Sequence, residues 1–593
     1  MVASHHKTTV QTVSAPSPAT KTSWRFGDLT AAELMPQLWR YLLEQDAKAN
    51  WQLIWLNNDG RPVIGLLPKV SWSVFYCADE TSYSDKQVSI PQANLYKIQK
   101  TCRATFHSND YAITKAYMSY SDWQDELITY SQGYKSDNEI STSINNDNEK
   151  SNYHHGLMGF IGYDIAAHEL SPAAQIELAA QPCALLGHYD IYLTDNNEHP
   201  QTGWQLQVNT VDSINPESDN SVTSEDKNTL VMSLISYLCE LDNKLSNEHL
   251  DKSIFKQSST KKLGKNAPLS LKAQWHKNDY QQAFNQTQNY LQQGDCYQIN
   301  LTQVWSGDFI DISDVSNLSD LNELNNGNKS ATALIDYLPA LHGNTQAPFA
   351  GYLAVNYSNS EVNTNTLDSK FELLSCSPEL FFTFIKDVKT GKHHIRTKPI
   401  KGTMPRGITA EQDNDYKQLL INSEKDRAEN VMIVDLLRND LGKYAKIGSV
   451  KVPQLFAIES FSNVHHMVST ITAELNTDTN PLAVLFGSLP AGSITGTPKK
   501  RAVEIIAELE VAPRGAYCGT MGYMNFDGSG QWNVLIRTLQ ANHASGDIAG
   551  HTSQISLWAG GGITVASDYD AEYQECLDKV GNLLSVLAKI DND

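Results

Sequence analysis

Hydrophobic and polar positions follow two rhythms along this chain. Short β-like runs, "WQLIWLN" and "WSVFYC", interleave with a stretch of helical period, "AAELMPQLWRYLLEQ", so that from about Trp24 the sequence reads as mixed α and β. Further on, "NDYQQAFNQTQNYLQQGDCYQINLTQ" has apolar side chains at Tyr280, Phe284 and Leu291 and a stop signal at Gly294, which predicts a helix handing over to a strand. Two more helical patterns follow: "NSEKDRAENVMIVDLLRNDLGK", with Val431, Ile433, Val434 and Leu437, and "SDYDAEYQECLDKVGNLLSVL". Three polar stretches, Ser131 to Asn152, Asp212 to Lys227 and Asn243 to Asn266, have a composition that cannot bury a core and are read as surface insertions or linkers. Smaller polar inserts fall near Asp311 to Ser330 and Ser358 to Lys370. The expected organisation is a disordered tail over residues 1–23, an N-terminal domain over 24–270 and a second, structurally denser domain over 271–593, in an α/β (α+β) fold.

Composition narrows the function classes. At 593 residues the chain exceeds what one hydrophobic core usually organises. With 40% hydrophobic and 19% charged residues it is ordinary for a globular protein, but a formal charge of -21 argues against nucleic acid or an anionic membrane as a partner. The start lacks an apolar core of signal-peptide length and no apolar run is long enough to span a bilayer, so a cytoplasmic location is expected. The cysteines at 77, 102, 183, 239, 296, 376, 518 and 576 are scattered, with no CxxC pair and no tight Cys/His cluster, so neither a zinc site nor a disulfide framework is suggested.

Seven stretches carry candidate chemistry. In "SCSPELFF", Glu379 precedes an apolar strand, where desolvation would raise its pKa and suit it to general acid work; a solvated loop glutamate is the alternative. In "RTKPIKGTMPRG", Lys401 is set between Pro399 and Gly402; as a nucleophile it would have to be neutral, and a charged loop lysine is the alternative. The helix with Asp426 and Glu429 and the helix with Glu572 and Glu575, three apart on one face, carry carboxylates that could converge on Mg²⁺, with Lys579 one turn on; solvated helix faces are the alternative. In "PAGSITGTPKKRAVEIIAELE", Thr497 is expected to cap a helix that starts at Pro498, and such a terminus favours an anion. In "SLWAGGGITVASD", Gly560, Gly561 and Gly562 are expected directly after a strand, where backbone N–H groups could bind a carboxylate. In "VLIRTL", Arg537 interrupts an apolar strand and needs an acidic partner, either a substrate carboxylate or a structural salt bridge.

In this order and spacing the stretches resemble the chorismate-utilising enzymes, the family of anthranilate synthase component I, aminodeoxychorismate synthase component I and the isochorismate and salicylate synthases. The resemblance runs nearly unbroken from about Asn278 to Leu587 and more loosely through "GLMGFIGYDIAAHEL" and "LLGHYDIYLTDN". It implies a large chorismate-binding fold, a β-sandwich core flanked by helices. Anthranilate synthases carry "PIAGT" where this chain has "PIKGT", the pattern of the aminodeoxychorismate synthases. The resemblance therefore implies that the Lys401 amine attacks C2 of chorismate as the C4 hydroxyl leaves, and that ammonia then attacks C4 and expels the lysine, giving 4-amino-4-deoxychorismate. Anthranilate synthase component I and a non-catalytic chorismate-binding subunit are the rival readings.

By the same carry-over Glu379 is the acid and later the base. Glu429 and Glu575 hold Mg²⁺ with Glu572 in support. Tyr523, Arg537 and Gly560 to Gly562 grip the enolpyruvyl carboxylate, while His466, Thr495 and Lys579 lie near the ring and its carboxylate. Gln298 stands where water-adding relatives place a lysine base, which disfavours isochorismate or salicylate synthesis. No cysteine sits in a GxCxGxQ setting, so ammonia is expected from a separate glutamine amidotransferase subunit. Nothing but "AKIDND" follows Leu587, so a separate lyase is expected to release 4-aminobenzoate for folate synthesis. Relatives that bind tryptophan use a serine after an apolar pair; here Ala78 stands there, and Ala350 stands where a second serine is common. Thr497 replaces the usual alanine of "GAPK".

Overall fold

The strand Gly351–Tyr357 shows what the alternating pattern builds. Tyr352 and Ala354 enter one apolar cluster, whereas Leu353, Val355 and Tyr357 enter another. Both faces are buried because helices cover one side of its sheet and a second sheet covers the other. The computed structural model describes residues 23–45, 50–76, 95–103, 111–134, 152–195 except 173, 175 and 180, 203–209, 224–254, 269–309, 333–358, 369–461, 464–544 and 552–588.

Two antiparallel twelve-stranded sheets make up the core. The first runs from Ser23–Trp24 through Trp204–Val208, Ile191–Asp195, Val63–Gly65 and Ile54–Leu56, then continues through Gly351–Tyr357, Ser369–Ser375, Thr538–Ala544, Thr552–Ile563, Gln298–Asp308 and Lys272–Ala273. The second runs from Tyr111–Met118 through Tyr96–Arg103, Val70–Tyr76, Ala184–His188 and Gly156–Ile161, then through Thr520–Asn525, Gly530–Asn533, Leu380–Lys386, His393–Lys398, Val464–Glu474 and Ile400–Pro405. Each sheet draws strands from both sides of residue 270, so the two halves of the sequence share both sheets.

Between the sheets, Ile54, Val63, Leu353 and Phe371 meet Phe75, Met158, Phe160 and Met521. Each such side chain contributes about 1.5–3 kcal/mol of apolar burial. Helices Ala31–Gln45, Ser224–Ile254 and Tyr569–Ala588 cover the outer face of the first sheet. Helices Tyr120–Gln132, Tyr163–Leu170, Glu424–Gly442 and Pro481–Ser488 cover the second. The β-sandwich flanked by helices is therefore the observed architecture.

The predicted helix near residue 280 spans Lys277–Gln293 and ends at Gly294, whose φ of 85° is a left-handed cap that glycine takes without strain. Several local readings need correction. Ser23, assigned to the tail, opens the first strand. The stretches read as linkers at 212–227 and 243–266 overlap the helix Ser224–Ile254, in which Leu230, Leu234, Leu238, Leu241 and Leu245 are buried at helical spacing. Leu230, Leu234, Leu238 and Leu241 lie between the two polar stretches, which cover only the ends of the helix. Asp242 in the same helix is buried and accepts from the backbone N–H groups of Arg25 and Phe26. Pro498, not Thr497, occupies the N-cap of helix Lys499–Leu509, because Thr497 is taken up in pairing with Gln298. Ala78 lies outside the described residues, and Ala350 is buried in the first sheet's cluster. Among the described residues no helix is long and apolar enough to cross a membrane.

Candidate active site

Two sheet-to-sheet crossovers of the chain lie side by side at one end of the sandwich. One crossover leads from Ser369–Ser375 to Leu380–Lys386 and carries Glu379; the other leads from Gly530–Asn533 to Thr538–Ala544 and carries Arg537. Hydrogen bonds lock the two together: Cys376 N–H to Arg537 O (2.9 Å), Val534 N–H to Glu379 O (3.1 Å) and the Ser377 hydroxyl to Val534 O (2.6 Å). Arg537 thus lies at a bend with φ of 53°, not within a strand as the apolar pattern implied. The crossovers form one wall of a cavity of about 470 Å³ that is also lined by Lys401, Glu429, His466, Gly560, Gly562, Glu572, Glu575 and Lys579.

Lys401 is aimed by a bulge. Strand Ile400–Pro405 pairs with Val464–Glu474 at Ile400 and again at Thr403, and the register shifts between them. Gly402 takes the positive φ of 80° that this requires, and a Cβ there would meet Leu420 Cδ1 at 2.7 Å and Asp426 Cγ at 2.9 Å. Lys401 Nζ lies 3.8 Å from Glu429 Oε2. Burial pushes the Glu379 carboxyl up to about 7, opposed by the Lys401 charge and by a hydrogen bond from the Ile400 backbone. It is a carboxyl poised to exchange a proton near neutral pH.

Two helices deliver the remaining carboxylates. Helix Glu424–Gly442, capped by Ser423, brings Glu429, and helix Tyr569–Ala588 brings Glu572, Glu575 and Lys579 on one face. Lys425 Nζ lies 3.1 Å from Glu572 Oε1 and 4.0 Å from Glu429 Oε1, and Lys579 Nζ lies 2.7 Å from Glu575 Oε1. Burial raises the Glu429 pKa, and Glu572 and Glu575 raise it further against the pull of Lys401 and Lys425. Burial also works against the charge of Glu575, but Lys579, Lys401 and Lys425 together bring its pKa below the ordinary value. These are hard oxygen donors whose mutual repulsion favours a cation, as Mg²⁺ requires. Among the described residues no three carboxyl, imidazole or thiol groups stand close enough to hold an ion by themselves. The set suits a cation that takes one or two carboxylates and completes its shell from water and substrate.

His466 is buried, shares a 2.8 Å hydrogen bond between Nδ1 and Thr403 Oγ1, and is brought down to about 4 by burial together with Arg537 and His465, so its imidazole is neutral at pH 7. Burial also lowers the Arg537 guanidinium below its usual value, and among the described residues no carboxylate stands within ion-pair distance of it. A substrate carboxylate would supply the missing partner.

Four expected site residues stand apart from the cavity lining: Tyr523, Thr495, Gln298 and Gly561, where an added Cβ would meet Glu572 Oε2 at 3.0 Å. Tyr523 lies in the layer between the sheets, its hydroxyl 3.4 Å from Asn58 Oδ1 and its ring edge-on to Tyr153. Thr495 spends its hydroxyl on Ala491 O (2.8 Å). Gln298 is buried behind Gly562, where an added Cβ would meet its Nε2 at 2.4 Å. The neighbouring Tyr517, Ser493 and Asn300 line the cavity instead, as does Trp558, which stacks on Tyr517 with ring centroids 6.0 Å apart. Asn300 was within reach of the sequence, because it is two residues from Gln298 on a strand and shares its face. The glycine run also shifts: Gly560 to Gly562 fall inside strand Thr552–Ile563. Pairing with Thr538–Ala544 stops at Leu557, so the edge of the strand beyond it is released toward the cavity, and Lys579 Nζ donates to Gly560 O at 2.9 Å.

An acid of raised pKa, an aimed lysine, an unpaired arginine and a cluster of carboxylates at the open end of a two-sheet sandwich define an enzyme cavity for a small anionic substrate. The chain belongs to the chorismate binding enzyme family, which matches residues 95–585. It is 34% identical over 437 residues to aminodeoxychorismate synthase component 1 of Salmonella typhimurium, covering 73% of this chain and 76% of that one. The aminodeoxychorismate synthase component 1 of Escherichia coli is 40% identical over 325 residues, 54% of this chain and 61% of that protein. The fold is similar to anthranilate synthase component I from Streptococcus pneumoniae, with a TM-score of 0.54 at 20% identity over 86% of this chain and 95% of that one. It is also similar to the menaquinone-specific isochorismate synthase of Escherichia coli, with a TM-score of 0.52 at 13% identity over 95% of this chain and 92% of that one.

Proposed function

We propose that this chain aminates chorismate at C4 to give 4-amino-4-deoxychorismate, with Lys401 as nucleophile and a partner subunit supplying ammonia. The observation that carries the reading is the pair Lys401 and Glu379 at one cavity, the lysine aimed by a bulge and the acid buried with its pKa near 7. Similarity to the aminodeoxychorismate synthase components supports it.

In the first displacement the Lys401 amine nitrogen forms a bond to C2, the ring double bond shifts, and the C4–O bond breaks. Glu379 gives its proton to the departing oxygen, which leaves as water rather than hydroxide. In the second, ammonia attacks C4, the double bond returns and the C2–N bond to Lys401 breaks; the Glu379 carboxylate takes the proton shed by the incoming nitrogen. The sum is chorismate plus ammonia giving the amine plus water. Arg537 holds a substrate carboxylate, and neutral His466 offers a hydrogen bond without adding charge. Glu429 and Glu575 would hold Mg²⁺, with Glu572 in support; when bound it supplies positive charge for the ring carboxylate.

The test is to mix the purified chain with chorismate, Mg²⁺ and ammonium and identify the product by chromatography with mass detection. A non-aromatic amine that keeps the enolpyruvyl group, convertible to 4-aminobenzoate by an added lyase, is expected. Fluorescent anthranilate with released pyruvate would overturn the assignment.

A further inference from the structure

Three lysines face the carboxylates of the cavity, and their situations differ. Lys579 is tied down twice, to Glu575 and to the backbone oxygen of Gly560. Lys401 is mostly buried, with 19% of its side chain exposed. Lys425 is 51% exposed, and the contacts of its ammonium are with Glu572 and Glu429. It stands in the first turn of helix Glu424–Gly442, where the helix dipole disfavours a cation and favours its neighbours Glu424 and Asp426. Glu572, by contrast, is 2% exposed and its Oε1 also accepts from the Ser567 hydroxyl at 2.8 Å. A buried carboxylate in a fixed position is thus neutralised by a solvent-facing lysine at an unfavourable helix position.

We propose that Lys425 is a resident counter-ion for the Glu572 and Glu429 carboxylates, and that a divalent cation binds there only by displacing its ammonium into solvent. The inference rests on the reading of Glu429, Glu572 and Glu575 as the Mg²⁺ site. The ammonium offsets the repulsion between the Glu572 and Glu429 carboxylates, so these two donors remain near one another. Its cost is competition: metal affinity is reduced by whatever the ammonium–carboxylate contact contributes. One partner is a buried carboxylate and the other a half-exposed ammonium, so solvent screens the contact and the reduction is at most about tenfold. Being monovalent, a bound Na⁺ or K⁺ would gain nothing over the ammonium already present, which selects for a divalent ion.

The experiment compares direct Mn²⁺ binding, read by the loss of the free-ion electron paramagnetic resonance signal, for the full-length wild type, Lys425→Met and Lys417→Met without substrate. Lys417 carries the same charge but pairs with Asp413 outside the cavity. Lys425→Met should bind Mn²⁺ more tightly than wild type, by up to about tenfold, and Lys417→Met should match wild type. In parallel, Lys425→Met should melt at a lower temperature without metal and regain the difference at saturating Mg²⁺, because a ligand that binds only the folded state stabilises it by an amount that grows with the logarithm of its affinity. Equal or weaker Mn²⁺ affinity in Lys425→Met, with binding still measurable, overturns the counter-ion role and leaves the metal-site reading standing. A gain of the same size in Lys417→Met also overturns it, reducing the effect to net charge. Absence of Mn²⁺ binding in wild type and Lys425→Met alike overturns both.

Discussion

Glu379→Gln separates the chemistry of the acid from its place in the fold. The carboxyl is buried and its pKa stands at about 7 against an ordinary 4.5, so the folded state holds its proton more tightly than the unfolded chain does. The sign follows directly. Below 4.5 both states are protonated and Glu379 is neutral with respect to stability; as the pH rises toward 7 the unfolded chain ionises first and the fold loses stability; above 7 the loss is complete. A shift of that size corresponds to about 3 kcal/mol. Glutamine keeps an acceptor for the Ile400 N–H and has no charge to desolvate. The variant should therefore be more stable than wild type, by about 2 kcal/mol at pH 6 and about 3 kcal/mol at pH 8.5.

Urea unfolding at those two pH values measures the stability gap, and steady-state kinetics with chorismate and ammonium measures the function. The amide cannot protonate the departing hydroxyl, so kcat should fall by about 10²–10⁴ while the fold becomes firmer. In the wild type, kcat/KM for chorismate should decline above about pH 7 as Glu379 ionises. A stability gap that is the same at both pH values would refute the burial argument, and a near-normal kcat in Glu379→Gln would refute its role as acid.

Other expectations follow from single contacts. Wild type incubated with chorismate and no ammonium should gain a mass equal to chorismate less water on the peptide containing Lys401; Lys401→Ala should gain none and lose turnover without a change in melting temperature. Tyr517→Phe should raise KM for chorismate by several-fold, roughly the effect of one hydrogen bond, whereas Tyr523→Phe should leave kinetics unchanged because Tyr523 faces the layer between the sheets. The reverse result would reinstate Tyr523 as a substrate contact. Away from the cavity, burial works against the charge of Glu372, but Lys370 and His543, 3.1 Å and 2.8 Å away, hold its carboxyl well below the usual range. Glu372→Gln should cost about 3–5 kcal/mol in urea unfolding, with the wild-type advantage full above the ordinary value of 4.5 and shrinking as the pH falls below it; a pH-independent loss would count against the charge and for simple packing.

Where sequence and structure part company over the walls of the site, the cause is the meeting of two sheets. Lys401, Glu379 and Glu429 could be singled out along the chain because each sits in a local device, a glycine beside a lysine, a turn before an apolar strand, a helix of clear period; their roles came from the family resemblance, and the structure brings all three to one cavity. Tyr523 could not be told from Tyr517 in this way, since both are aromatics in one glycine-rich stretch, and only the pairing of Thr520–Asn525 between Gly156–Ile161 and Gly530–Asn533 buries Tyr523 between the sheets. Arg537 looked like a strand residue for the same reason; its bend exists because the chain changes sheets there, which is a property of the sandwich and not of "VLIRTL". The helix Ser224–Ile254 was legible in its middle, where Leu230, Leu234, Leu238 and Leu241 keep a helical period, and only its two ends read as linkers. Local rules thus locate groups that a turn or a helix positions, while residues placed by the meeting of two sheets need the topology. The cavity lies at that meeting, so its walls, Ser493, Tyr517 and Trp558, are the part of the site that a linear reading is least able to supply.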